Sequence, residues 1–174
     1  GKCARPVAGP IISAMGCECG SLPTAVLSGH TACKSFTFDD RTDQIEPIAQ
    51  SWIDNGVDFD AIYTGYLGSF EQLELVSRFF DRHREDGTLI FVDPAMADNG
   101  ALYKGFTPEF ARAMGTVVCS KADIIDPTIT EAAFLLGAEY KEDGTLKSFT
   151  PNCGAAKEKI VKQVVADMAS VPYL

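Results

Sequence analysis

Basic side chains are few in this 174-residue chain: 15 Lys and Arg stand against 24 Asp and Glu, a formal net charge of -9. So acidic a chain repels polyphosphate backbones, which argues against nucleic acid as a partner. Long apolar runs are missing as well. None reaches the ~18 residues of a membrane-spanning helix, so no membrane association is expected. The six cysteines, at positions 3, 17, 19, 33, 119 and 153, form no CxxC pair, which speaks against a zinc ribbon and against a regular secreted disulfide framework. They read as reduced thiols of a cytoplasmic protein. Cys17 and Cys19 fall on one face of an extended segment, but two thiolates alone leave a tetrahedral metal site half empty. Neither GxxxxGK[ST] nor GxGxxG occurs, which removes the two commonest nucleotide fingerprints. No signal-peptide pattern opens the chain, and the missing initiator Met suggests processing or a fragment.

What is present is enough apolar sequence, 46% of positions, to bury the core of one domain. Pro6 to Met15 predicts a short helix stopped by Gly16, although Pro10 removes a backbone donor inside it. Cys17 to Leu27 reads as extended, Ser28 to Asp43 as a long polar loop, and Asp43 to Asn55 as a helix ending at Gly56. Then one pattern repeats. Phe59 to Thr64 is a short apolar run followed by a Gly-containing turn and a helix from Ser69 to Arg84, with Leu73, Val76, Phe79 and Phe80 at helical spacing. Thr88 to Asp93 is a second buried strand, and Thr107-Pro108-Glu109 starts the helix after its loop. Ala122 to Ile125 is a third, with Thr130 expected to cap a helix through Leu136. Successive βα units with continuous apolar strands predict an α/β fold, a parallel sheet of about four strands with helices on both faces. From Gly137 onward the pattern weakens, leaving helical composition over Ala155 to Ala169 and a stop at Pro172.

Ligands of open parallel sheets bind beyond the carboxyl ends of the strands. The turns expected there are Ser28 to Thr31, Thr64 to Ser69, Asp93 to Gly100 and Asp126 to Glu131, each with polar groups. Asp93, Asp98 and Glu131 are three carboxylates at that edge, able to converge on a hydrated Mg²⁺ of the kind used in phosphate chemistry. The plainer alternatives are a strand end for Asp93, an Asp-Asn-Gly turn for Asp98 and a helix-dipole partner for Glu131. His30 lies in a polar loop, where a solvated side chain competes with a catalytic one. His83, within Asp81-Arg82-His83-Arg84, reads as surface. Tyr66 is placed either to stack on an aromatic ligand or to cover the sheet edge.

Taken together, Gly1-Lys2-Cys3 through Pro10 to Gly16, Leu22 to Thr31, Phe36 to Asp40, Tyr63-Thr64-Gly65-Tyr66-Leu67-Gly68-Ser69, Asp93 to Gly100 and Ala122 to Leu136 resemble the pyridoxal/pyridoxamine kinases of the ribokinase-like superfamily. The resemblance runs in uninterrupted order to about residue 140. It implies a three-layer αβα ribokinase-like domain, partial in this chain, with residues 1–136 as the family-like core and 137–174 as a divergent helical tail. It also implies transfer of the γ-phosphate of ATP, with Mg²⁺, to the 5'-hydroxymethyl of a vitamin B6 vitamer. By the same analogy His30, Thr31 and Tyr66 belong to the substrate pocket, Asp98, Tyr103 and Thr128 to the nucleotide and phosphate side, and Asp93 and Glu131 to the cation. A small-molecule substrate and a homodimer are the implied partners.

Two family features are not matched: a first strand ahead of this chain's start, and a Gly-Thr-Gly-Asp segment whose Asp is the general base. The nearest echo is Asn152-Cys153-Gly154-Ala155, so the catalytic residue stays unassigned and a chain truncated at both ends is expected. Gly29 also stands where Asn is common, and Asp126-Pro127-Thr128 replaces Thr-Pro-Asn. The alternatives are a non-catalytic binding or oligomerisation module, and a sibling hydroxymethylpyrimidine or sugar kinase.

Overall fold

Apolar alternation sets the centre of the molecule. In the computed structural model, which describes residues 4–29, 34–84, 87–137, 139 and 141, a parallel sheet has the order β3-β4-β7, with β3 at Ala61–Thr64, β4 at Leu89–Val92 and β7 at Ile124–Ile125. Ile62 pairs with Ile90 and Thr64 with Val92, and Phe91 and Val92 pair in turn with Ile124 and Ile125. The period of two along a strand turns Ile62, Thr64, Ile90 and Val92 to one buried face. On the other face Ala61 and Tyr63 are exposed and Leu89 and Phe91 half-buried.

Helices α2 (Thr42–Asp54) and α3 (Phe70–His83) supply much of the core against that buried face. Leu73, Val76, Phe79 and Phe80 of α3 follow the predicted spacing and join Ile90, Val92, Met96, Phe110 and Met114 in one cluster. Ser69 caps α3 by accepting from the Gln72 N–H at 3.2 Å. Helix α4 (Pro108–Ala113) begins as predicted, with Thr107 as its cap and Pro108 in the first turn. It runs on through a π-helical turn, 114–118, and a 3₁₀ turn, 119–121, into β7. Helix α1 spans Ala4–Ala14 with Pro10 inside it, and Gly16 after it takes φ +90°.

Three expectations need correction. The segment Cys17 to Leu27 yields one short strand, β1 (Ala25–Leu27), which leaves the parallel sheet and pairs antiparallel with β2 (Phe38–Asp40), a strand inside the expected loop. Among the described residues the parallel sheet therefore has three strands rather than four. Second, the cap of α5 (Ile129–Leu135) is Thr128, not Thr130: Thr128 and Glu131 form a reciprocal capping box, which fixes the start two residues earlier. Third, His83 is not at the surface. The last turn of α3 directs it inward, 7% exposed, with its ring 4.2 Å from Phe79 and 5.4 Å from Phe59. No described helix is long and apolar enough to cross a membrane.

Candidate active site

The three parallel strands end together, and the loops that leave them meet at one edge. The Asp93 N–H donates to the Thr64 carbonyl at 3.2 Å and the Asp126 N–H to the Val92 carbonyl at 3.0 Å, so Thr64, Asp93 and Asp126 open adjacent loops. Tyr63 donates its phenol to Asp93 Oδ2 at 3.1 Å. Burial pushes the Asp93 carboxyl above the usual carboxylate range, and the charges of Glu131 and Asp126 add to that push against the Tyr63 hydrogen bond. The same surroundings raise the Tyr63 phenol to about 12, burial first and Asp93 second.

Glu131 is 1% exposed. Its Oε1 accepts from the N–H groups of Met96 (2.8 Å) and Ala97 (3.1 Å), and its Oε2 from Thr128 N–H (2.7 Å). The carboxylate thus holds the loop after β4 against the start of α5. Thr128 adds to this brace by donating to the Ala97 carbonyl at 3.1 Å, and the Thr130 hydroxyl accepts from Gly100 N–H at 3.0 Å. Within the braced segment, β5 (Ala97–Asp98) and β6 (Ala101–Leu102) form a small hairpin turned by Asn99 (φ 51°) and Gly100 (φ 83°). Two successive positive φ angles are the signature of a tight type I′ turn, for which Asn-Gly is the favoured pair. Asp98 is exposed beside it and accepts from the Asn99 N–H at 2.8 Å. Tyr103, 39% exposed, closes the loop by donating its N–H to the Met96 carbonyl.

The loop after β3 carries Tyr66. Its ring lies 5.7 Å from that of Phe106, which stacks in turn on Phe110 at 4.5 Å. Partial burial raises the Tyr66 phenol above its ordinary value, helped by the charge of Asp40. Gly68 makes this ring position possible, because a Cβ there would lie 3.0 Å from the Tyr66 hydroxyl oxygen and 3.1 Å from the ring. Thr24 donates to the Tyr66 carbonyl at 2.8 Å, tying the loop to the approach to β1.

Of the anticipated site residues, Asp93 and Glu131 stand in one electrostatic neighbourhood, while His30 and Thr31 lie outside the described residues. The expected convergence of Asp93, Asp98 and Glu131 on one ion is not formed. Among the described residues no three His, Cys, Asp or Glu side chains group closely enough to hold a metal, because Glu131 is turned inward onto backbone amides and Asp98 outward beside its own turn. Asp126, marked in the sequence as a carboxylate where the family has Thr, adds its charge to the field at Asp93. Two contributors were not anticipated: Tyr63 and Gln72. Gln72 had a legible signal, since Ser69-Phe70-Glu71-Gln72 is a capping-box pattern that announces a side chain reaching back over the helix start.

No protein-family model and no curated protein sequence matches the chain. Solved structures do. A protein from Bacteroides thetaiotaomicron, provisionally named a phosphomethylpyrimidine kinase and crystallised with pyridoxal, is 38% identical with a TM-score of 0.79 over 95% of this chain and 55% of its own. Pyridoxal kinase from Lactobacillus plantarum is 31% identical, TM-score 0.69, over 78% of this chain and 48% of its own. Pyridoxal kinase from Leishmania donovani, solved with ADP and ginkgotoxin, shares the fold at TM-score 0.74 and 19% identity. The chain spans about half the length of these structures.

Proposed function

From the premise that this chain is a partial ribokinase-like protein of the pyridoxal kinase kind, we propose that it binds a vitamin B6 vitamer and serves ATP-dependent phosphorylation of the vitamer's 5'-hydroxymethyl group. One observation carries the reading: the Tyr66 loop and the Asp93 carboxylate leave neighbouring parallel strands at the same edge, in a chain 38% identical to a kinase crystallised with pyridoxal. The reaction joins the hydroxyl oxygen to the γ-phosphorus, releases ADP and gives up the hydroxyl proton. Such chemistry depends on positioning and charge neutralisation rather than on a protein nucleophile.

The residues suit these roles unequally. Tyr66 offers a partly buried ring whose position Gly68 permits, fit to lie against a pyridine. Asp93 is a carboxylate in a negative field, and its Oδ2 accepts from the Tyr63 phenol. A divalent cation relieves that field, and Mg²⁺ is held through one or two carboxylates while keeping its waters, a demand that Asp93 meets without a three-sided cage. When bound, the ion supplies charge neutralisation at the transferring phosphoryl group. Glu131 works from behind by fixing the loop that follows Asp93, and Thr128 shares that brace. Asp98 and Tyr103 are exposed on the same loop and are assigned to the nucleotide side. His30 and Thr31 are assigned to the vitamer side by resemblance. On this reading the protein acts in the cytoplasm as a homodimer.

A second reading is a module that binds the vitamer without turnover. Calorimetry with pyridoxal, followed by chromatographic detection of pyridoxal phosphate after addition of MgATP, separates the two. Binding with product formation that Asp93→Ala abolishes supports the kinase. Binding without product supports the module, and a preference for a hydroxymethylpyrimidine in a substrate panel moves the chain to the sibling activity. Failure to bind either class overturns the reading.

A further inference from the structure

Gln72 is 0% exposed, and each polar atom of its amide is used. Its Oε1 accepts from Gly68 N–H at 2.7 Å, while Nε2 donates to the Thr24 carbonyl at 2.9 Å and to Thr42 Oγ1 at 2.8 Å. These partners come from three places in the chain: the Tyr66 loop, the approach to β1 and the first turn of α2. The Thr42 hydroxyl, having accepted from Gln72, donates onward to Asp40, whose carboxyl is held below its ordinary range by the hydroxyl and N–H of Thr42. Thr24 itself donates to the Tyr66 carbonyl. The Tyr66 loop is therefore gripped at residue 66 through Thr24 and at residue 68 through Gln72, with one buried amide connecting both grips.

A capping-box Gln serves its own helix by reaching back to the N-cap N–H. Here the side chain bypasses Ser69 N–H and takes Gly68 N–H, the residue against which the Tyr66 ring is folded. Helix capping alone gives no reason for the two donations to Thr24 and Thr42. We propose that Gln72 is a positioning residue, which locks the Gly65–Ser69 loop to the β1 approach and to α2 and thereby fixes where Tyr66 stands. This deepens the functional reading above and rests on Tyr66 as a wall of the vitamer pocket.

The test compares wild type with Gln72→Met, which keeps length but loses all three hydrogen bonds, and with Thr42→Val, which removes a single arm. Amide hydrogen exchange at Gly68 reads the grip without ligand, and calorimetry with pyridoxal reads its consequence. Val118→Ala, a core change in the π-helical turn 114–118 that touches none of the Gln72 hydrogen bonds, controls for general loss of stability. In Gln72→Met, Gly68 exchange is expected to accelerate and pyridoxal affinity to fall by about tenfold or more, a change of roughly 1.4 kcal/mol, while Val118→Ala keeps wild-type affinity. Wild-type Gly68 exchange or wild-type pyridoxal affinity in a folded Gln72→Met protein overturns the proposal, as does an equal loss of affinity in Val118→Ala. If Gln72→Met does not fold, Thr42→Val decides: a partial loss of affinity supports the proposal, and none overturns it. A wild-type protein that binds no pyridoxal defeats the functional reading, and Gly68 exchange then decides the grip of Gln72 by itself.

Discussion

His83 shows how a single side chain takes its chemistry from its packing. Its ring is packed between Phe79 and Phe59, and its Nε2 has no hydrogen-bond partner in the structure. Burial and the nearby Arg82 lower its pKa from the ordinary 6.5. The neutral ring is thus favoured in the fold, and the unfolded chain takes up the proton first. Between the lowered value and 6.5 the unfolded state binds more protons, so stability is complete above 6.5 and declines as pH falls through that window. Urea unfolding at a series of pH values is expected to show this acid-side decline, and His83→Phe is expected to reduce it. An unchanged slope in the variant refutes the assignment. The sequence misplaced this residue because its immediate neighbours, Asp81, Arg82 and Arg84, are charged, and charge next in sequence outweighed the helical spacing that aligns position 83 with Phe79 and Phe80.

Elements in this chain are fixed by local chemistry wherever that chemistry is strong. The helix at Pro108 was legible because Thr107 is a good cap and Pro108 suits a first turn, the one at Phe70 from its apolar spacing, and the one at Thr42, which lacks a side-chain cap, from its stop at Gly56. Strands β3 and β4 were legible as apolar runs between turns. The β1–β2 ribbon was not, because three-residue strands carry no period, and β2 reads Phe-Asp-Asp. In the candidate site, the sequence named Asp93 and Glu131 but not their different surroundings: a half-buried carboxylate beside a phenol and one that holds a loop are the same residue type until the groups around them are seen. The Asn99-Gly100 turn puts this to a direct test. Gly100 sits at φ 83°, a region that an L side chain enters at a cost of about 1–2 kcal/mol. Gly100→Ala is expected to lower stability by about that amount in chemical denaturation, whereas Asn99→Gly leaves it within about 0.5 kcal/mol. Equal effects of the two changes contradict the turn assignment.

Across the whole molecule, burial is distributed unevenly. The β3–β4–α3 centre is tightly packed, while the β1–β2 ribbon shows Val26 52% exposed and Phe38 46% exposed. A two-stranded ribbon with so little cover is only marginally stable alone. Limited digestion with thermolysin, which cuts before large apolar residues, is therefore expected to start in the ribbon near Phe36 and Phe38, well before any cut in β3 or β4. First cuts in the parallel strands contradict that hierarchy.

The loop after β4 has a further consequence. Pro94, Met96, Ala97 and Gly100 are all buried, Met96 and Ala97 completely. By connectivity this is a loop at the edge of the sheet; by environment it is interior. Substitutions at these positions are accordingly limited by volume, as in a core segment. Changes in this loop will therefore cause folding defects first at the buried positions, whereas Asp98 and Tyr103, which are exposed, are expected to tolerate change.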